Sequence, residues 1–348
     1  MENAVLNQTP VRTSKNFLIN NIKLEKLEFP ENTSEFKNVT ISVNESSIEN
    51  VKPKFDFAYG LGNAAEDNVL KNYNHSLKIT VSKSDDIKIL YDFDNDNLSL
   101  VNYIEIDANA DCNLYIEYNS KTNKECFHNG MLKLNAFNGA RVNVVITNLL
   151  NAKSMNLEAI QNDIEDDANV NYTVIDIGGK TSISNYYSNM YGNNGKNEIK
   201  TIYLGTEKQV KDINYIAELR GEKTDINIDV QGALKNNSKK NFKGTIDFKK
   251  GCKKAVGNEN EYCMLLSDDS KSIALPMLLC TEDDVEGNHS TASGKVDNQE
   301  LFYIMTRGIE YNDALKLIVK ARFNEIIDRI KETELRDKII DEIDRRLD

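Results

Sequence analysis

Tryptophan is absent from the 348 residues, and proline (four), histidine (three) and cysteine (five) are scarce. The five cysteines, Cys112, Cys126, Cys252, Cys263 and Cys280, are odd in number and widely spaced, and none forms a C-x-x-C pair. That pattern excludes a disulfide framework and fits reduced thiols in a cytosolic chain. No apolar run approaches the roughly 20 residues of a membrane span, and the opening segment MENAVLNQTPVRTSKNFL has no apolar centre of signal-peptide length. Basic charge is also short: 43 Lys and Arg stand against 55 Asp and Glu, a net charge of −12. Long-range repulsion therefore disfavours nucleic acid and anionic membrane as partners. The expectation is an ordered, soluble, cytoplasmic chain whose partners are other proteins.

What is present divides the chain in three. Residues 1–75 are mixed, with polar stretches around apolar clusters such as Phe17-Leu18-Ile19 and Phe55-Asp56-Phe57-Ala58-Tyr59, and their pattern assigns no fold. Residues 76–290 carry short alternating runs, among them Leu77-Lys78-Ile79-Thr80-Val81 and Ile226-Asn227-Ile228-Asp229-Val230. Period-two alternation separated by Asn, Asp and Gly is the signature of strands and turns. A repeat lies within it: Ala110-Asp111-Cys112-Asn113, Ala140-Arg141-Val142-Asn143 and Ala168-Asn169-Val170-Asn171 each lead into an apolar run, and weaker copies begin at Asn197 and Thr224. A steady interval of this kind is what stacked solenoid turns produce, because each turn must rejoin the one below. About one turn per 28 residues is expected, with Asn113, Asn143 and Asn171 equivalent on successive turns. An evenly spaced β-sandwich is the competing arrangement.

Residues 291–348 read as helical. Asp297 with Glu300 suggests a capping box, followed by Leu301, Phe302, Ile304 and Met305 and a stop at Gly308. Asn312 is a candidate cap for a second helix with the face Leu315, Ile318, Val319, Phe323, Ile326, Ile327 and Ile330. A third starts near Thr333, with Leu335, Ile339, Ile343 and Leu347 on one side. Such a module either folds back on the solenoid or offers its surface to a partner.

The chemistry-bearing residues are few. His75 and His128 stand alone and read as structural or exposed, and Cys263 and Cys280 lie in apolar runs that suit core packing. Gly178-Gly179-Lys180-Thr181-Ser182 lacks the spacing of a phosphate loop, and no G-x-S-x-G or H-E-x-x-H signature occurs. No enzyme is expected. His289, in EDDVEGNHST, has within the ten residues before it only Cys280, Glu282, Asp283, Asp284 and Glu286 as further donors and no second histidine three or four residues away, so any metal it binds must draw ligands from elsewhere.

Seven short elements then follow in order: Leu265-Leu266-Ser267-Asp268, Pro276-Met277-Leu278-Leu279, Asp283-Asp284-Val285, His289-Ser290-Thr291, Gly294-Lys295-Val296-Asp297, Leu301-Phe302-Tyr303 and Arg307-Gly308-Ile309. With Asn241-Phe242-Lys243-Gly244-Thr245-Ile246 upstream, they resemble the C-terminal signature of the SufB/SufD family of iron–sulfur cluster assembly proteins. The resemblance is dense from about 241 to 330. It thins at Thr9-Pro10-Val11-Arg12-Thr13-Ser14-Lys15, where the family's following aromatic motif is missing.

The resemblance implies a right-handed parallel β-helix core with a C-terminal α-helical domain. It also implies pairing with a SufB-like subunit, or with a second copy, through the β-helices, and docking of a SufC-type ABC ATPase on the helices. The nascent iron–sulfur cluster would be transient and shared with the partner, with none held stably by this chain alone. Gly287 stands where SufD-type chains carry cysteine, Asn288 and Ser290 where SufB-type chains carry glutamate, and Glu261 near the SufB cysteine slot, with Cys263 two residues late. A SufD-like scaffold is the expected role, with His289 as its candidate cluster ligand at the partner interface. On this expectation the last strand ends near Val285 and His289 sits at the exit. The alternatives are a purely structural partner with no iron contact, or an extracellular or carbohydrate-binding β-helix protein.

Overall fold

The computed structural model describes residues 4–13, 19–25, 27–31, 34–54 and 57–348. Phe17, Leu18, Phe55 and Asp56 of the two N-terminal apolar clusters, and Ser14 and Lys15 of the thin N-terminal match, lie outside the described residues.

Strands β1 (Ala4–Leu6) and β2 (Ile22–Leu24) pair antiparallel. Then come β3 (Val39–Ser42), β4 (Ser47–Glu49) and helix α1 (Asn63–Asn72). The repeating strands follow: β5 (His75–Val81), β6 (Asp85–Phe93), β7 (Ser99–Ala108), β8 (Cys112–Ser120), β9 (Phe127–Ala136), β10 (Arg141–Leu149), β11 (Met155–Ile164) and β12 (Asn169–Asp176). They continue as β13 (Thr181–Met190), β14 (Lys196–Gly205), β15 (Val210–Leu219), β16 (Asp225–Leu234), β17 (Lys239–Phe248), β18 (Ala255–Leu265), β19 (Lys271–Cys280) and β20 (Val285–Lys295). Helices α2 (Asn298–Met305), α3 (Tyr311–Ile327) and α4 (Thr333–Leu347) complete the chain.

From β5 onward each strand pairs in parallel with the strand two places later, so even-numbered strands build one sheet and odd-numbered strands a second. The result is a two-sheet β-solenoid of eight turns, as the repeat predicts, and not a sandwich. Register partners on successive turns lie between 26 residues (Met155 and Thr181) and 32 residues (Lys239 and Lys271) apart. Asn113, Asn143 and Asn171 are register partners, and their amides bond in a ladder: Asn143 Nδ2 donates to Asn113 Oδ1 (3.0 Å) and Asn171 Nδ2 to Asn143 Oδ1 (3.1 Å).

The corners repeat as well. Ahead of the even strands stand Asp167, Asn194, Lys223 and Lys254, all with φ between 56° and 60°. Left-handed backbone reverses the chain in little space. It also aims each amide at the next turn, with Asp167 N bonding Asn193 O (2.9 Å), Asn194 N bonding Glu222 O (2.8 Å) and Lys223 N bonding Lys253 O (2.8 Å).

Alternation makes every second side chain point inward, and these form the main apolar core between the sheets. The outer faces are covered too. Leu6, Phe57, Leu61, Ala65 and Val69 pack on the odd sheet over Val101, Tyr103, Met131 and Leu157. Asn7 enters that face fully buried, donating to Asp212 Oδ1 (2.7 Å).

The C-terminal helices fold back along the outer face of the even sheet. Ile318, Val319, Phe323, Ile339 and Ile343 are buried in one cluster with Val145, Leu149, Ile175, Ile202 and Leu204. Contacts run from the first turn to the seventh: Lys88 to Glu332 in the first, Lys338 to Glu117 (2.8 Å) in the second, Arg329 to Glu198 in the fifth, and Arg322 over the Tyr262 ring (4.7 Å) in the seventh. Of the two expected caps, the one at Asp297 holds and the one at Asn312 does not. Asp297 accepts from Gln299 N (2.8 Å) to start α2, and α3 starts after Glu310, which leaves Asn312 inside its first turn. No helix among the described residues is long and apolar enough to cross a membrane.

Candidate functional site

The last turn is the open end of the solenoid, because β19 and β20 are the terminal strands of their sheets. An uncovered edge leaves one row of backbone donors and acceptors free for another chain. β20 is exposed along nearly all its length.

His289 lies in the middle of β20, not beyond the last strand as the sequence suggests. The strand begins at Val285, where it was expected to end, and runs to Lys295. The turn falls upstream, at Glu282–Asp284: Glu282 Oε2 accepts from Gly251 N (2.9 Å) and Asp284 O from Lys254 N (2.6 Å). The polar residues that read as loop instead continue the outer ladder, Asn288 Nδ2 donating to Asn258 Oδ1 (3.1 Å) and Ser290 Oγ to Asn260 Oδ1 (2.7 Å).

Register fixes which way His289 faces. Its column runs Ile87, Leu114, Val144, Tyr172, Ile199, Ile228, Glu259, His289, one residue per turn, and its apolar members all belong to the inner core. The imidazole is therefore on the inward face of the last turn and is exposed through the open end. Two places on, Thr291 stands over Glu261, and then Ser293 over Cys263. Ser293 Oγ meets Ser272 Oγ of β19 at 2.9 Å, which joins the two sheets at the rim.

Beneath this rim the core turns polar. Glu261 accepts from Lys240 Nζ (2.7 Å) and from the Tyr203 hydroxyl (2.9 Å), with Lys240 and Glu261 both shut off from solvent. Tyr203 fits because Gly232 faces its ring; a Cβ there would come within 1.8 Å of the ring. Glu259 is fully buried and neither carboxyl oxygen has a hydrogen-bond partner. Burial first, and then the neighbouring Glu261, push its pKa up to about 8, so the group is mostly protonated at neutral pH. Gly244 leaves it room, since a Cβ there would lie 2.3 Å from the carboxyl.

The Lys240 position continues a polar column through the odd sheet: His128, Asn156, Ser182, Lys211, Lys240, Ser272. Lys211 is paired with Asp176 at 2.9 Å. His128 is fully buried between Asn102 (3.0 Å) and Asn156 (2.6 Å), and burial lowers its pKa to about 4. His75 meets the Tyr91 hydroxyl at 3.0 Å. Neither histidine approaches His289, since both belong to the first turns.

Cys263 is buried, and burial raises its thiol pKa, so it behaves as a packing residue. Cys280 departs from expectation: it is exposed and its Sγ donates to Glu282 O (2.9 Å), because the terminal strand has no further turn to cover it. Gly178 to Ser182 form a corner and the start of strand β13, with no helix following. Among the described residues no group of three or more His, Cys, Asp or Glu side chains is placed to hold a metal ion.

A second surface lies on the tail. Phe302 (68 % exposed), Tyr303 (59 %), Tyr311 (51 %), Met305, Ile309 and Leu317 turn outward from α2 and the start of α3. Exposed apolar groups gathered this way mark interaction sites more often than scattered ones do.

The family model described as "SUF system FeS cluster assembly, SufBD core domain" matches residues 93–322. The chain is similar to the iron–sulfur cluster assembly protein SufD of Bacillus subtilis, 25 % identical over 166 residues that cover 48 % of this chain and 38 % of that protein. It is also similar to an iron–sulfur cluster assembly SufBD family protein of Pyrococcus horikoshii, 32 % identical over 155 residues, 44 % of this chain and 33 % of the relative. The matched part thus spans little more than a third of these relatives' own length.

Proposed function

Because this chain belongs to the SufBD family, whose part is in iron–sulfur cluster assembly, we propose that it is a SufD-like scaffold subunit and not itself an enzyme. It pairs through the open end of its solenoid with a SufB-like subunit or a second copy, and carries a SufC-type ATPase on its C-terminal helices. A nascent iron–sulfur cluster, shared with the partner, takes His289 as this chain's ligand.

The observation that carries this reading is the placement of His289: inward-facing in the last strand, yet open to solvent at an unpaired sheet edge. Neutral imidazole offers a lone pair to iron without first losing a proton. The scarcity of co-ligands here is what a shared cluster requires, since the other donors come from across the interface. The exposed edge of β20 supports strand-to-strand pairing, and the apolar patch around Phe302 supports docking on the tail.

The test is His289→Ala, co-expressed with the neighbouring gene products and followed by iron and sulfide assays on the purified complex. An exposed side chain contributes little to stability, so the variant is expected to fold and assemble normally while cluster build-up falls at least tenfold. Wild-type iron and sulfide content in a normally assembled His289→Ala complex would leave the chain as a structural partner without iron contact. Tail deletion is the poorer test of ATPase docking, because it would uncover Val145, Leu149, Ile175 and Ile202.

A further inference from the structure

The corner loops after β8, β10, β14 and β16 and the last turns of α4 enclose a cavity of about 740 Å³. Six cations line it, three from the loops (Lys121, Lys153, Lys235) and three from the helix (Lys338, Arg345, Arg346), against only Glu207, Glu342 and Asp348. In a chain of net charge −12 this local surplus runs against the whole molecule. Part of it is already matched: Lys338 holds Glu117, and Arg345 and Arg346 hold Glu342. Lys121 has a carboxylate, Asp92, only at 3.7 Å, and both Lys121 and Lys153 are exposed. A cleft with low-dielectric walls concentrates such a potential.

Asn119, from β8, also lines this cavity. It is only 3 % exposed, and neither its amide nitrogen nor its amide oxygen has a hydrogen-bond partner. Buried side-chain amides in folded proteins nearly always have one. The group presents a donor and an acceptor together, which suits a neutral polar edge better than a bare ion.

We propose that this cavity binds a small multivalent phosphate ester, its phosphates against Lys121, Lys153 and Arg345 and its neutral part against the Asn119 amide. With Glu117 set against Lys338 the surplus is two charges, which suits an anion carrying two or more; Arg345, whose Nε and Nη2 hold Glu342, can still offer Nη1 to a phosphate oxygen, and the volume falls in the range of small-molecule sites. One wall is the solenoid and the other is α4, so an occupant ties the tail to the turns beneath it.

Calorimetric titration of the full chain with pyrophosphate, at constant ionic strength, tests the assignment. Saturable binding at one site is expected, weakened at least tenfold by Lys153→Glu and by Arg345→Glu, two exposed positions whose replacement leaves the fold intact. Adenosine monophosphate is expected to lose affinity in Asn119→Leu while pyrophosphate does not. No saturable heat with pyrophosphate in the millimolar range would overturn the proposal. So would equal affinity in the wild type and both charge-reversed variants, or a signal reproduced by potassium chloride of the same ionic strength.

Discussion

Glu259 stands directly beneath His289, its register partner in the neighbouring strand, and carries a fully buried carboxyl with no hydrogen bond to either oxygen. An apolar column that holds isoleucine, leucine, valine and tyrosine for six turns thus ends in an acid and an imidazole at the open end.

That acid makes stability depend on pH. Its folded pKa of about 8 lies above the ordinary carboxyl value of 4.5, so the unfolded chain gives up its proton first. Stability is full below about pH 4.5, falls by up to about 1.4 kcal/mol per pH unit as pH rises towards 8, and then levels off. Glu158, also fully buried and pushed up to about 8, adds a second component of the same sign. Glu259→Gln removes the first component only. Urea unfolding at pH 5 and pH 8 should show the variant gaining a few kcal/mol over the wild type at pH 8 and little at pH 5.

The Lys240–Glu261 pair is expected to fail sharply when halved. Lys240→Met leaves Glu261 charged and buried with only the Tyr203 hydroxyl, at a cost of about 3–5 kcal/mol. Lys240→Met combined with Glu261→Gln should recover most of that loss. A double variant no more stable than Lys240→Met alone, measured by urea unfolding, would show that packing and not charge pairing governs the site.

Gly232 gives a steric test. A methyl group there would overlap the buried Tyr203 ring, and the ring cannot swing away without leaving Glu261. Gly232→Ala should lower stability by about 3 kcal/mol, read as a fall in melting temperature. An unchanged melting temperature would mean that the last turns repack freely.

The tail patch predicts a separation of effects. Phe302→Glu with Tyr311→Glu alters two exposed side chains, so thermal stability should stay within about 0.5 kcal/mol of the wild type. On the proposed function, co-purification with a SufC-type ATPase should be lost. Full retention would show that this patch is not the proposed docking surface.

Much of this architecture was legible in the sequence because a solenoid writes its own geometry into its spacing. Asn113, Asn143 and Asn171 could be aligned by eye since each turn must place the same side chain over the last. The buried faces of α3 and α4 followed from helical periodicity. The strand holding His289 was misread because its inward positions, Gly287, His289, Thr291 and Ser293, have no ninth turn above them to demand apolar side chains. The inward Lys211, Lys240 and Glu261 were missed for the opposite reason: alternation marks a charged residue as outward, and only the strand's phase shows otherwise. Residues 1–75 gave no fold because their strands are three or four residues long, and β3 and β4 pair only with β6 and β5 further along the chain.

The folded-back tail also acts as a gauge. A solenoid built of equivalent turns gains or loses one with little change at either end, so nothing in the strands themselves counts the turns. The helices do. At about 1.5 Å per residue α3 spans roughly five strand spacings of about 4.8 Å. The path through α3 and α4 reaches from Tyr262 in the seventh turn to Lys88 in the first. An inserted turn would carry Glu332 out of reach of Lys88 and bare a strip of the even sheet; a deleted one would leave α3 overhanging. The number of turns beneath the tail is therefore matched to the helices, and an insertion or deletion among the first seven must be accompanied by matching changes in α3 and α4.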